Sequence, residues 1–499
     1  MSELLPFGPG AWLFITAYLC SLLLLGWAGF RARREDTLRD FYLGGRGFGV
    51  IVLFLTLYAT QYSGNSVFGV AGATYRVGYT WLISVHYMLA IIVFYMAFAP
   101  SLRKRARERS YLTPVDYLRD RFGSEALCLF ASIIMIVALS NYLLAQLMTM
   151  GRALQGLSGA YGNVAYDYGV IGLALIMLIY GTLGGIRAIA WTDVIQGGVL
   201  MIGFVVLLLL LRAEFGPLFD ATNVILASAD ADKIARPSAS QLREWLSYIL
   251  IVGIGAALYP QAIQRIYAAK SPHTLNRSLA IMAFLPFGTA FIAVIAGIYA
   301  LAYIPGLDGA ETDQVLSRLL RSIQAGSLFG YAFVVLIFSA ILAALMSTAD
   351  SAMLSISSMF TKDIYSTRIN REAAESVLTR TGKRCSWIVV CSLAALAIAL
   401  KEHASLITLI DRKFDLLVQL APAFMLGIHW KSLRTRPTLA GLVAGVTIAL
   451  ALAFGPFEFV VAGKIWGFHP GIYGLAANAI IAIGGSVWPD ASLRSNCRP

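Results

Sequence analysis

Apolar runs of about 20 residues alternate along this chain with short polar connections. A run of that length can cross a bilayer as a helix in which every backbone polar group is bonded internally. Thirteen such runs predict an all-α integral membrane protein, a single polytopic domain over residues 1–499. The predicted spans are residues 11–30, 50–74, 81–100, 126–154, 164–183, 189–212, 245–264, 279–303, 328–360, 385–400, 406–430, 439–454 and 471–488.

Two predicted spans contain residues that interrupt a membrane helix. The second holds the polar stretch TQYSGNS at 60–66, and the seventh holds Gly253, Gly255 and Pro260. Four spans lie between the two interruptions, so each opens a block of five spans, and an odd-numbered block inverts when it is repeated. Paired broken helices in inverted halves indicate the central site of a secondary transporter. The alternative is that Gly and Pro are merely tolerated in membrane helices.

The ninth span carries a polar cluster among small residues. Ser347, Thr348, Asp350 and Ser351 lie within a turn and a half, and at about 100° per residue Ser347 and Ser351 share one face. Hydroxyl oxygens at membrane depth suit a small hard cation, which takes oxygen ligands. The alternative for any single hydroxyl is a bond back to its own helix. A carboxylate such as Asp350 costs roughly 3 kcal/mol or more in the membrane unless it is paired or hydrated.

Composition agrees with a membrane protein, at 58% hydrophobic and 13% charged residues. The net charge of +12 would permit nucleic-acid binding, but 27 of the 39 Lys and Arg residues fall on one side of the predicted topology and 8 on the other. This asymmetry predicts a cell membrane protein (inner or plasma membrane) with its N-terminus outside and its C-terminus in the cytoplasm, and no nucleic-acid partner. Four basic residues lie in or at the ends of spans: Arg152, Arg212, Arg412 and Lys413.

Several segments resemble the sodium:solute symporter family, in order and over essentially the whole chain. They are DFYLGGRGFG at 40–49, YGTLGGIRAIAWTDVIQG at 180–197, QRIYAAKS at 264–271, LMSTADSAML at 345–354 and TKDIY at 361–365.

The resemblance implies a leucine-transporter-like fold, an inverted 5+5 helix repeat within thirteen transmembrane helices. The first repeat would be residues 50–212 and the inverted second repeat residues 245–430. Residues 11–30 would form an extra N-terminal helix, retained because no signal-peptide pattern precedes it. Residues 439–488 would supply two further helices. The resemblance also implies Na+ as the coupling ion.

The family's main sodium site, carried over residue by residue, implies five oxygen ligands in this chain. Three would be backbone carbonyls and two would be hydroxyls: Ala59, Tyr62 and Ala344, then Ser347 and Thr348. This set agrees with the cluster in the ninth span and the break in the second.

Three further residues form a candidate second cation site or exit path. Asp193 matches an acidic position that the family associates with a second sodium ion or the inner exit route. Near the end of the sixth span it would alternatively be solvated or cap the helix. Asp350, next to Ser351, departs from relatives that carry a hydroxyl or apolar residue there. It would bind a cation or proton itself, or pair with a basic residue.

The solute is expected beside the two broken helices. Candidates are polar or aromatic side chains within apolar spans: Gln61, Ser66, Tyr87, Asn141 and Tyr259. For each of them, packing or helix bonding is the alternative role. Gly255 and Ala256 stand where sugar-transporting relatives have a stacking aromatic pair, which argues against a sugar. The segments YPQ at 259–261 and GFHPG at 467–471 are more similar to the pantothenate, monocarboxylate and proline branches.

The sequence therefore predicts a sodium-coupled symporter, not an enzyme, that imports a small organic acid or amino acid by alternating access. Its expected partners are the solute and the lipid bilayer, and no obligate protein partner is inferred. A primary pump is disfavoured because the chain has no G-x-x-x-x-G-K-[ST] phosphate loop. A sensor or signalling protein with a symporter-type module, a proton-coupled or sugar symporter of the same fold, and a channel remain alternatives.

Overall fold

The structure, a computed structural model, describes residues 8–32, 35, 37–62, 64–158, 162–401, 406–461 and 463–487. The described residues are 86% helical, and no β-strand occurs among them. The predicted all-α class is therefore confirmed. The cause is the absence of water in a bilayer, which favours elements that bond their own backbone.

Each predicted span has a helical counterpart in these ranges. In order of the thirteen spans, the helices are Pro9–Arg31; Val50–Gln61 and Gly64–Val77; Ile83–Arg109; Glu125–Ser158; Gly162–Phe215 for both the fifth and the sixth; Ala239–Ala257 and Pro260–Ala268; Pro272–Met282, Leu285–Gly288 and Ala290–Tyr303; Leu328–Met359; Glu375–Ala399; Leu406–Leu417, Val418–Leu420, Pro422–Leu426 and Gly427–His429; Thr435–Phe454; and Pro470–Val487.

Length and apolarity support the predicted spans unevenly. Nine stretches in the described ranges are each long and apolar enough to cross a membrane, and the bent pair in the seventh span adds a tenth. Two of the nine, Phe68–Arg109 and Val164–Phe215, run through more than one predicted span. The eleventh span is divided into short helical pieces, and the eighth is kinked between residues 282 and 290. The divisions of the eighth and eleventh spans were not predicted.

The two predicted interruptions are present. The second span leaves the helix at Tyr62, where φ is −108° and ψ is 62°. The seventh span bends by 50° between Ala257 and Pro260. Gly253 and Gly255 nevertheless remain helical, so the break lies just before Pro260, whose ring disfavours a helical conformation at the residue before it.

The fifth and sixth spans are separated by a sharp turn at Gly185. Gly185 has φ 59° and ψ −153°, a backbone region that is essentially restricted to glycine. The backbones of Gly26 and Gly29, one helical turn apart, contact Tyr180 and Ala188, which are eight residues apart. A straight helix would separate those eight residues by about 12 Å, so these contacts require the chain to fold back.

The turn gives a prediction for Gly185→Ala. The added Cβ would lie 2.7 Å from the Phe41 carbonyl oxygen in a strained backbone conformation, so we expect a loss of about 1–3 kcal/mol of stability. The measurement is the midpoint of thermal unfolding in detergent. Gly198→Ala is the matched control, because its Cβ would meet nothing within 4 Å and its φ is not positive. Equal midpoints for the two variants would contradict this account of the turn.

Candidate functional site

The break in the second span contacts the polar cluster of the ninth span directly. The Thr348 hydroxyl lies 3.0 Å from the Ala59 carbonyl oxygen and 2.9 Å from the Ala344 carbonyl oxygen, and it can donate to either. Three of the five predicted sodium ligands therefore meet at one point. This point joins the first half of the broken helix to a helix almost 290 residues later in the chain.

The other two predicted ligands lie on the same elements but are arranged differently. The Tyr62 amide still donates to the Tyr58 carbonyl at 2.7 Å, while its ψ of 62° turns its own carbonyl away from the helical direction. The Ser347 hydroxyl donates to the Asp193 carboxylate. Ser347 is therefore shared between the predicted sodium site and the sixth span.

Asp193 belongs to a buried ion pair. Its Oδ2 atom accepts a hydrogen bond from Arg265 Nη2 at 3.1 Å, and the same nitrogen donates to the Ser351 hydroxyl at 2.6 Å. Ser351 in turn donates to the Ser347 carbonyl at 3.0 Å. Asp193 is 0% exposed, so the alternative of a solvated carboxylate is wrong. The pair joins the sixth, seventh and ninth spans.

Arg265 was not identified from the sequence. It lies one residue past the predicted end of the seventh span, where a basic residue is expected to face water, yet it is only 2% exposed. The signal was present in the sequence, because an arginine beside an apolar span and an acidic residue within another span are expected to pair. Which acidic residue it pairs with depends on the three-dimensional packing.

Asp350 faces a different neighbour. Its carboxylate lies beside the Tyr180 hydroxyl and the backbone of Gly181 in the fifth span, and the side chain is 0% exposed. No basic side chain forms an ion pair with it in the part of the chain that the structure describes. The structure therefore does not support the alternative in which Asp350 pairs with a basic residue.

The predicted solute residues are brought together only in part. Gln61, Tyr87 and Tyr259 line one cavity between the two broken spans. Gln61 Nε2 donates to the Tyr95 hydroxyl at 2.6 Å, which holds the amide against the third span. Asn141 instead donates to the Leu409 carbonyl at 2.8 Å and does not appear among the cavity-lining residues. The Ser66 side chain lies outside the described residues.

Lys413 lines the same cavity and was not identified as a site residue from the sequence. It is 3% exposed, and its ammonium nitrogen lies 3.7 Å from the centroid of the Tyr142 ring. The sequence signal was a lysine in an amphipathic stretch of the eleventh span. In the sequence it is only one of four basic residues in or at the ends of spans. In the structure it is buried in the wall of the cavity between the two broken spans.

Ion pairs also connect the spans away from the cavity. Asp313 pairs with both Arg152 and Arg76, which end the fourth and second spans. Asp40 and Arg187 form a two-point pair, with both oxygen–nitrogen distances at 2.6 Å. This second pair joins the DFYLGG and GGIR segments, which lie almost 150 residues apart in sequence.

A family model covers most of this chain. The model of the sodium:solute symporter family matches residues 41–445, so this chain belongs to the sodium:solute symporter family. Its members are transporters, so the predictions of membrane transport and of no enzymatic activity are confirmed. The family also supports sodium as the coupling ion.

Two relatives match almost the full chain. The osmoregulated proline transporter OpuE of Bacillus subtilis (strain 168) is 26% identical over 461 residues, which cover 89% of this chain and 90% of the relative. The sodium/proline symporter of Staphylococcus aureus (strain JH9) is 24% identical over 490 residues, which cover 94% of this chain and 91% of the relative. The similarity therefore extends through both predicted repeats.

Solved structures agree on the fold. A Na+-coupled sialic acid symporter in a substrate-bound outward-open state matches with a TM-score of 0.77 at 20% identity, over 96% of this chain and 98% of that protein. The nucleobase-cation-symport-1 family transporter Mhp1, in a closed conformation, matches with a TM-score of 0.51 at 14% identity. The match covers 91% of this chain and 97% of that protein. The predicted leucine-transporter-like fold is confirmed.

Proposed function

We propose that this protein is a symporter that uses the sodium gradient to import a small organic acid or amino acid by alternating access. The observation that carries the proposal is the 3.0 Å contact between the Thr348 hydroxyl and the Ala59 carbonyl oxygen, at the point where the second span breaks. A cation held between these two oxygens would link two helices that must separate when the protein opens inward.

The proposed sodium ligands are Ala59, Tyr62, Ala344, Ser347 and Thr348. Unwound carbonyls and hydroxyls are the ligands that transporters of this kind use for sodium at the bilayer midplane. The set carries no net charge, which suits an ion that must be released in each cycle. Ser347 would rotate away from Asp193 to complete the shell, since its hydroxyl is bonded to that carboxylate.

Asp193 and Ser351 are proposed to act in sodium release. The Arg265 guanidinium already contacts both residues, at 3.1 Å and 2.6 Å, and supplies the positive charge that a second cation would otherwise provide. A second cation at this point would have to displace it. A role in the exit path fits these contacts better. As the ninth span moves, the Ser347 hydroxyl would leave the sodium ion and bond to the Asp193 carboxylate. Asp350, beside Tyr180, remains the candidate for a further cation or a proton.

Coupling follows from the different affinity of sodium for two conformations. Sodium would favour the outward-open form, in which the second and ninth spans are joined, and solute would then bind the completed cavity. Inward opening would separate the five oxygens and release the ion. If bound sodium raises the affinity for the solute by a given factor, bound solute must raise the affinity for sodium by the same factor. The proposed orientation in the cell membrane places the N-terminus outside and the C-terminus in the cytoplasm, as the positive-inside rule predicts.

The solute is proposed to bind in the cavity lined by Gln61, Tyr87 and Tyr259. Relatives that match about nine-tenths of the chain are described as proline transporters, so proline is the first solute to test. Proline also falls within the class that the sequence favours, small organic acids and amino acids.

A thermal-shift screen of the purified protein tests this proposal. The panel holds proline, other amino acids, monocarboxylates, pantothenate and sugars, each in sodium and in potassium. A ligand at 100 times its dissociation constant adds about 2.7 kcal/mol of apparent stability. We expect a shift that requires both sodium and an acid or amino acid. An equal shift in potassium would favour proton coupling or uniport, and a shift with sugars alone would overturn the solute class.

A further inference from the structure

The cavity between the broken spans is lined by a basic side chain, Lys413, which takes no part in the proposed sodium site. Lys413 comes from the helix Leu406–Leu417 and lines the cavity together with Gln61 and Tyr87. Its side chain is 97% buried, as the 3% exposed fraction shows. A charge at this depth requires either a partner or a function.

Three aromatic rings surround the ammonium group. Its nitrogen lies 3.7 Å from the ring centroid of Tyr142, 4.7 Å from that of Phe414 and 5.2 Å from that of Tyr259. Tyr259 stacks on both of the other rings, at centroid distances of 5.3 Å and 5.8 Å. Ring faces attract a cation, so they hold the ammonium in place, but they do not neutralise it.

The neighbouring charged residues on the same helix have close partners, whereas Lys413 forms no ion pair within the described ranges and has only a longer-range electrostatic interaction with Asp411. Arg412 pairs with Asp415 at 2.8 Å, and Asp411 lies 3.6 Å from the His469 ring. No ion pair of Lys413 occurs within the described ranges, and none of the cavity-lining residues described is acidic. Lys413 thus lines the cavity without a close acidic partner in the described ranges, and an anionic solute would supply one.

We infer that Lys413 binds the carboxylate of the transported solute, so that the cargo is a small carboxylic acid with a short apolar body. The inference rests on the proposed function and names the solute class of the same cavity. The rest of the wall fits such a body, since Val70, Met88, Ile91 and Val252 are apolar. Gln61 supplies an amide on the same wall. A solute without a negative charge would leave Lys413 buried and uncompensated.

The test compares acids with their uncharged amides. The probes are L-proline, cyclopentanecarboxylate, L-lactate and pantothenate, together with prolinamide, cyclopentanecarboxamide, lactamide and pantothenol. Binding in sodium is measured by isothermal calorimetry on the purified full-length protein. We expect at least one acid to bind and its amide to bind about 100-fold more weakly, because the amide leaves the buried ammonium unpaired.

Three variants separate a carboxylate-binding lysine from a structural one. Lys413→Met should weaken binding of the acid about 100-fold without weakening binding of its amide, whereas Lys413→Arg should stay within about tenfold of wild type. Lys464→Met is the matched control. Its ammonium also lies over an aromatic ring, Tyr248 at 5.2 Å, but it is paired with Glu244 at 2.5 Å. This control should bind the acid as wild type does.

Three results would overturn the inference: equal affinity for acid and amide, wild-type acid affinity in Lys413→Met, or no binding of any of the four acids at millimolar concentration. The effect of sodium on the thermal midpoint distinguishes failure of this inference from failure of the proposed function. Sodium alone should raise the thermal midpoint of both wild type and Lys413→Met. If sodium has no effect on wild type, the proposed sodium site fails. If sodium raises the midpoint but Lys413→Met binds the acid with wild-type affinity, only the present inference fails.

Discussion

Replacing Ser347 and Thr348 together by alanine is expected to abolish sodium-dependent uptake and to leave a folded protein. The double change removes two of the five proposed oxygen ligands and the 3.0 Å contact with Ala59. If each ligand contributes about 1.5–3 kcal/mol, sodium affinity falls by about 100-fold or more. The measurement is tracer uptake of the solute at increasing sodium concentration, in cells or in proteoliposomes, with the thermal midpoint as the check on folding.

Ser339→Ala provides the matched control for this change. Ser339 lies on the same helix and is equally buried, but its hydroxyl donates to the Val335 carbonyl of its own helix at 2.6 Å. We expect its sodium dependence to match wild type. If uptake by the Ser347/Thr348 double variant retains wild-type sodium dependence, the sodium site is misplaced.

Breaking the Asp193–Arg265 pair is expected to produce the largest loss of stability. Asp193→Asn leaves the Arg265 guanidinium buried without its carboxylate, and Arg265→Met leaves the carboxylate without its guanidinium. Removal of one partner of a buried pair typically costs about 3–5 kcal/mol, while removal of both can be close to neutral. We therefore expect each single variant to unfold at a much lower temperature than the double variant.

The double-mutant cycle measures this coupling directly. The exposed pair Arg318–Glu311, at 3.2 Å, is the control, since its side chains are 32% and 57% exposed. A cycle on that pair should give about 0–1 kcal/mol. Additive effects at Asp193 and Arg265 would mean that the two groups do not stabilise each other. In Asp193→Asn, Ser347 also loses the carboxylate that competes for its hydroxyl, so sodium release is expected to slow.

The sequence predicted those features that depend on neighbouring residues in the chain. The stretch TQYSGNS ends the first helix of the second span at Tyr62, and Pro260 begins the helix after the bend in the seventh. The Ser347–Thr348 cluster was visible as hydroxyls in an apolar helix. Each of these signals lies within about two helical turns, where propensity and periodicity act.

The features that the sequence did not predict depend on distant partners. Arg265 lies just past the predicted end of the seventh span, and its partner Asp193 lies 72 residues earlier. Lys413 looked like a charge within or at the end of a span, because nothing near it in sequence indicates the rings of Tyr142 and Tyr259 around it. Topology counts treat every basic residue alike, whereas the fold decides which of them is buried.

The central claim, coupled movement of sodium and solute, is tested most directly by tracer sodium flux in proteoliposomes of the purified protein. A solute identified by the binding screen is supplied as an inward gradient, with equal sodium on both sides and the membrane potential clamped. Reciprocal coupling predicts that the solute gradient drives net sodium uptake, and that the Ser347/Thr348 double variant shows none. Solute entry without any sodium movement in the wild-type protein would contradict the account.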